Sequence, residues 1–441
     1  MLASALFLLA LQALQLHANS IQPRKYHPDQ FNNLVLYWGQ GGDEKPMAKY
    51  CDKKGVSIIV VGFVHDYTGG PNGTPQMDLA SHCMDTSHCP DIGKDIAYCQ
   101  DKGIKVTLSL GGAGGPYHDQ DWKPDDLAWN LWNMFLGGTD KSFNRPFGKG
   151  VKLDGIDLDP EATSPKGYDK LIHRLRTLYH LDHNKKYMIS AAPQCADLKD
   201  YDGNAVYNIL HPKKDLDAYP DMVFVQFYNN KCSAAAFSKK SRWDASDEGS
   251  FNFDEWENWA AGTPNTKVYL GLIGKDTHYD TGYVEFDTLT SILDDIHDKH
   301  HFGGVMIWNA EIAYTNPVTD GSQYGEAVAN YLDYLQSPSK LMRIADTIAP
   351  VLTPIIDPTI SPLPCESGVM FSLMNKISLR NLVRYFEHSV QRLATLEQAY
   401  PEEMDQPLMI GSSLCLGPVK SNQITLDYFG LKFIHNTTIL P

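Results

Sequence analysis

The strongest constraint on this chain is a rhythm. Short runs rich in apolar and β-branched residues return at intervals long enough to hold a helix. They are NLVLYW from Asn33, VSIIVVGF from Val56, IKVTLSL from Ile104 and LDGIDLD from Leu153, then YMISAA from Tyr187, MVFVQF from Met222, KVYLGL from Lys267 and GVMIW from Gly304. Continuously apolar strands separated by helical spacers belong to parallel sheet, because helices then cover both faces. Eight such units in about 280 residues favour an α/β fold of the (β/α)8 TIM-barrel kind over an open doubly wound sheet. Several runs end in amide or aromatic groups: Tyr37-Trp38-Gly39-Gln40, Ser109-Leu110-Gly111-Gly112, Gln226-Phe227-Tyr228-Asn229 and Trp308-Asn309. In a barrel those ends meet at one mouth, where active sites form.

The rhythm stops at Gln336. Prolines at 338, 350, 354, 358, 362 and 364 mark 337–364 as a stiff Pro-rich linker. Residues 365–441 are then a small C-terminal extension of unknown function. Within it, Ser378 to Pro401 reads as a helix whose Leu379, Leu382, Val383, Phe386, Val390 and Leu393 form a packing stripe. At the other end, an apolar stretch from Leu2 to Leu16 precedes Leu-His-Ala and a polar Asn19-Ser20. That pattern reads as a signal peptide over 1–18, leaving 19–336 for the barrel. The run is short for a membrane anchor, which needs about 20 apolar residues.

Export changes how the eight cysteines read: Cys51, Cys83, Cys89, Cys99, Cys195, Cys232, Cys365 and Cys415 suggest disulfides. HCMDTSHC, from His82 to Cys89, fits no common zinc spacing. Asn72-Gly73-Thr74 and Asn436-Thr437-Thr438 are glycan-acceptor sequences. A net charge of -15 argues against nucleic acid and against anionic membrane surfaces as partners.

One strand is anomalous. LDGIDLDPEA, from Leu153 to Ala162, carries Asp154, Asp157, Asp159 and Glu161. Side chains alternate across a strand, so Asp157, Asp159 and Glu161 share a face while Ile156 and Leu158 take the other. With Ile156 and Leu158 toward the helices, the acids point into the barrel, roughly 6.5–7 Å apart. Buried like charges cost several kcal/mol unless a proton is shared or hydrogen bonds compensate, roughly as for any buried unpaired ion. A shared proton would keep one acid protonated near neutral pH, which general acid catalysis requires. An EF-hand does not fit, since position six would be Ala162 and position twelve Tyr168. A solvated acidic edge does not explain why the acids share a face within an apolar strand.

DGIDLDPE resembles the DGxDxDxE signature of glycoside hydrolase family 18, and SLGG at Ser109 resembles that family's SxGG motif on the preceding strand. YWGQ, SAAPQC, QFYNN and the Trp308 at the end of strand eight are similar to the class III, hevamine-type chitinases. The resemblance covers about residues 30–335 and leaves the tail uncovered.

It implies a (β/α)8 enzyme that cleaves β-1,4-linked N-acetylglucosamine with retention, using the substrate's own acetamido oxygen as nucleophile. By motif position Glu161 is the general acid and then base. Asp159 orients the acetamido group and stabilises the oxazolinium ion, and Asp157 shares a proton with Asp159. Tyr228 would hydrogen-bond the acetamido carbonyl and Trp308 would floor the -1 sugar. Gln226, Asn229, Tyr37, Gly111 and Gly112 would line the subsite, while Asp154 would be structural. The implied disulfides are Cys51–Cys99, Cys83–Cys89 and Cys195–Cys232, and pairing of Cys365 with Cys415 stays open. Chitin and chitooligosaccharides are the implied partners, for a secreted, extracellular or cell-wall monomer needing no cofactor and no metal.

Two departures stand out: Pro160 separates Asp159 from Glu161, and Gly41 follows YWGQ where the hevamine type often has Asn. About 35 residues separate strands seven and eight, which leaves no room for the extra α+β subdomain of bacterial-type chitinases and favours an open groove with endo cleavage. A chitinase-like lectin or inhibitor on the same barrel is the alternative, although such relatives usually lose one of the acids kept here. An activity on peptidoglycan is a third reading.

Overall fold

A computed structural model describes residues 25–161, 167–199, 204–237, 250–278, 280–319 and 321–336, with two short strands further on. The signal peptide, the linker, the helix from Ser378 to Pro401, Cys365 and the acceptor at Asn436 lie outside the described residues.

The eight runs form eight parallel strands: β1 (Asn33–Trp38), β2 (Val56–Asp66), β3 (Lys105–Gly112), β4 (Gly155–Pro160), β5 (Met188–Ala191), β6 (Met222–Gln226), β7 (Lys267–Ile273) and β8 (Phe302–Trp308). Each pairs with the next, and β1 pairs with both β2 and β8, so the sheet closes. Helices α1 (Met47–Cys51), α2 (Pro90–Asp101), α3 (Pro124–Phe135), α4 (Tyr168–Tyr179), α5 (Ala205–Leu210), α6 (Phe253–Ala260), α7 (Phe286–Ile296) and α8 (Tyr324–Gln336) follow the strands in turn. This is a (β/α)8 barrel.

Two apolar layers hold it together. Val35, Ile58, Val60, Met222, Phe224, Tyr269 and Met306 pack as an inner cluster in the lumen. The alternate positions, such as Leu34, Leu36, Ile59, Val61, Ile156 and Leu158, pack outward with the helices. The two-residue period of a strand produces this division. Helix α4 shows the partner pattern: Leu171, Ile172, Leu175 and Leu178 are buried at helical spacing. Each such leucine contributes roughly 1.5–3 kcal/mol by leaving water. Helices α2 and α3 both begin at a proline followed by aspartate, which suits the free amides and positive end of a helix start.

Three disulfides are present: Cys51–Cys99 joins α1 to α2, while Cys83–Cys89 and Cys195–Cys232 tie loop residues, with Cα separations of 5.4, 5.9 and 6.0 Å. Among the described residues between β7 and β8, α7 is the only regular element. Among the described residues no helix is long and apolar enough to cross a membrane. A second unit carries the antiparallel pair Val369–Ser372 and Ser413–Leu416.

Candidate active site

The site is built on β4. Because Ile156 and Leu158 face the helices, Asp157 and Asp159 face the lumen, where both are buried. The parallel register sets Ser109 of β3 beside Asp157, and Asp157 beside Ser190 of β5. The row makes a clamp. Ser109 Oγ donates to Asp157 Oδ2 at 2.6 Å and Ser190 Oγ to Oδ1 at 2.6 Å. The Tyr37 hydroxyl, reaching across from β1, donates to Oδ2 at 2.7 Å. Burial holds the Asp157 carboxyl above its ordinary value, and these three hydroxyls offset only part of that rise.

Asp159 lies one row nearer the mouth. Gln226 Nε2, from the end of β6, donates to its Oδ1 at 3.0 Å and to the Ala192 carbonyl at 2.9 Å. Burial drives the Asp159 carboxyl well above the usual carboxylate range, and the charges of Glu161, Asp157 and Asp197 push the same way. Gly111 sits beside Asp159 in the register with φ of +117°. A Cβ there would lie 2.1 Å from the Asp159 carbonyl oxygen, so the close approach of β3 to β4 demands glycine.

Glu161 ends the row at the mouth. It is exposed to solvent there, at the edge of the cleft. Burial raises its carboxyl, the charge of Asp280 adds to that, and the Gln226 and Gln194 amides oppose it. Above the acids opens a cleft of about 470 Å³. Tyr37, Gly111, Gly112, Asp159, Glu161, Gln226, Tyr228, Asn229 and Trp308 all line it; Asp157 lies beneath, closed off from it. Tyr228 is almost fully buried, and burial together with Asp159 and Glu161 holds its hydroxyl protonated. The Trp308 ring packs beside Tyr37 and Phe63, with centroids 5.6 and 5.9 Å away.

Asn229 is already engaged. Its Nδ2 donates to Asp280 Oδ1 at 2.9 Å and its Oδ1 accepts from the Thr281 amide at 2.7 Å, so it anchors the loop after β7. Asp154 faces away from this chemistry. It accepts from Gln100 Nε2, the Val106 amide, and the ammonium groups of Lys105 and Lys185.

Sequence reasoning did not single out Ser190, Tyr117, Gln194, His65, Asp78 or Asp280. Ser190 carried a usable signal: a small hydroxyl residue in the strand after the acids, matching Ser109 in the strand before. Asp78 and Asp280 stand outside the eight strands and reach the cleft only through the fold, and Tyr117, also outside them, is buried and meets the Glu161 amide.

Stacked in this way, the acids form a gradient of solvent access. Asp157 is closed off at the bottom, Asp159 is buried at the floor of the cleft, and Glu161 faces the cleft with its carboxyl raised.

The model of the family described as "Glycosyl hydrolases family 18" matches residues 33–281. A protein named chitinase 2 from Rhizopus oligosporus is 37% identical over 301 residues, which are 64% of this chain and 50% of that one. The chain spans about half the length of the curated relatives it matches. Among solved structures, a chitinase from Ipomoea carnea superposes with a TM-score of 0.52 at 30% identity, covering 68% of this chain and 99% of that chain. A xylanase and alpha-amylase inhibitor protein from Scadoxus multiflorus superposes with a TM-score of 0.51 at 29% identity, covering 68% and 96%. With that match across the barrel and the acids stacked along β4, this chain belongs to glycosyl hydrolase family 18.

Proposed function

We propose that the chain is an endo-acting chitinase that hydrolyses β-1,4-linked N-acetylglucosamine with retention by substrate-assisted catalysis. The observation that carries this reading is the row Asp157–Asp159–Glu161, with its two inner acids buried and the last at the cleft. A sugar whose acetamido group lies over Asp159 would present its carbonyl oxygen to its own anomeric carbon. Tyr228 would hold that carbonyl, and Trp308 would support the ring face. Glu161 would protonate the departing glycosidic oxygen, then accept a proton from the water that opens the oxazolinium ion. As that positive charge grows, Asp159 would lose its proton toward Asp157, whose three hydroxyl partners suit it to vary its charge. The substrate supplies the nucleophile, so this chemistry needs no metal or organic cofactor.

The same reading takes the protein as secreted, cut after Ala18, with 337–364 as a linker to the extension 365–441. It acts as a monomer at the cell wall or outside the cell, on chitin and chitooligosaccharides. Asn72 is exposed and open to glycosylation.

Glu161→Gln tests the assignment. Release of chitooligosaccharides from colloidal chitin should fall by roughly 10²–10⁴-fold with the fold intact by circular dichroism. Turnover at the native rate would remove Glu161 from the role. The likeness to a xylanase and alpha-amylase inhibitor protein supports a second reading, a non-hydrolytic binder on the same barrel. Chitin binding by the wild-type protein without soluble product would favour it.

A further inference from the structure

Strand β4 does not end as an ordinary ladder does. The amide of Ala192 donates to the Leu158 carbonyl at 2.9 Å, so even-numbered residues of β4 turn their peptide groups toward β5. Odd-numbered residues therefore turn toward β3. With Gly112 beside Pro160 in the register, the next rung would run from the Glu161 N–H to the Gly112 carbonyl. That rung is interrupted by a side chain. Glu161 N donates to the Tyr117 hydroxyl oxygen at 3.0 Å, and the same hydroxyl donates to the Gly112 carbonyl at 2.7 Å. The phenol is spliced between the two strands.

Pro160 belongs to the same device. Its missing N–H would face β5 at the Ala192 carbonyl, and that carbonyl instead accepts from Gln226 Nε2, which also holds Asp159. Both ordinary ladder contacts of β4 beyond Asp159 are thus replaced by side chains. The ring of Tyr117 is fully buried and stacked on Tyr67 at 5.1 Å, so the hydroxyl has no freedom to wander.

We propose that Tyr117 is a positioning residue: its hydroxyl holds the backbone of Glu161 one oxygen further from β3 than a strand would, and so aims the acid across the cleft. Resting on the proposed hydrolytic function, this also explains how a proline between the two acids leaves the outer one in place.

Tyr117→Phe removes one oxygen and keeps the stacked ring. On chitohexaose, kcat should fall about tenfold with KM changed less than twofold, as expected when proton transfer is misaligned. On a chitobioside with a 4-nitrophenyl leaving group, which needs little protonation, the loss should shrink to about threefold or less. Tyr67→Phe is the control. It removes the hydroxyl 3.0 Å from that of Tyr168 in the same aromatic cluster and touches no acid, so it should leave both rates intact. Equal losses on the two substrates would overturn the inference, because a merely structural role does not depend on the leaving group. So would a Tyr117→Phe enzyme as fast as wild type on chitohexaose. A wild-type protein that cleaves neither substrate would instead overturn the proposed function.

Discussion

Asp159→Asn should make the barrel more stable at neutral pH while removing activity. Same-face residues of a strand lie about 6.6 Å apart, and two unit charges at that distance in an effective dielectric near 20 repel by about 2.5 kcal/mol. Asp157 is fully buried at that spacing, so Asp159 bears this repulsion whenever both ionise. Its carboxyl is raised well above the usual range, by burial first and then by Glu161 and Asp157. A raised carboxyl stabilises the fold fully below its unfolded pKa, near 3.9, and that contribution is lost as pH climbs through the folded value. Asparagine carries no charge to bury, yet its carbonyl can still accept the 3.0 Å bond from Gln226. The variant should therefore gain about 2–3 kcal/mol at pH 7, or about 4–6 °C in melting temperature for a domain of this size. At pH 3.5 the gain should vanish. Calorimetric melting of both proteins from pH 3.5 to 8 measures it. A difference that is constant across pH, or a loss at neutral pH, would refute the idea that the acids are held together at a cost in stability.

Asp280→Asn should move the alkaline limb of the kcat profile to lower pH, because burial and then the charge of Asp280 keep the Glu161 carboxyl raised; chitohexaose turnover from pH 4 to 9 reads the shift. Gly111→Ala should destabilise by roughly 3 kcal/mol or more, through a Cβ driven into the Asp159 carbonyl at a positive φ, and its thermal unfolding midpoint should fall accordingly.

The barrel was legible because its strands are buried on both faces and so read as unbroken apolar runs. The acids were legible for the converse reason: alternation within such a run leaves Asp157 and Asp159 no place but the lumen. Strand ends blurred by a few residues. VSIIVVGF continues to Asp66, and YMISAA shortens to Met188–Ala191, because ladder pairing rather than hydrophobicity decides where a strand stops. Helix lengths were less legible. The intervals suggested full helices, yet α1 and α5 hold only five and six residues, the remainder going to loops. Tyr117 and Asp280 left no trace in local pattern, and Gln194 stood inside SAAPQC without a role of its own. Each joins the site by a contact with something distant in the chain, such as the 44 positions between Tyr117 and Glu161. Asn229 lines the cleft, and its side chain is also tied to Asp280 and Thr281 in the loop after β7, a link that its position at a strand end did not announce.

The inner apolar layer has a consequence for what can be altered separately. Phe224 lies outside the cleft lining, yet it packs edge-on against Tyr37, whose hydroxyl holds Asp157. Proton affinity is therefore set from two sides: the staves of the barrel bury Asp157, whereas Asp280, in the loop after β7, adds to the rise of the outer acid. Exchange of that loop would retune Glu161 and leave the innermost acid as it is.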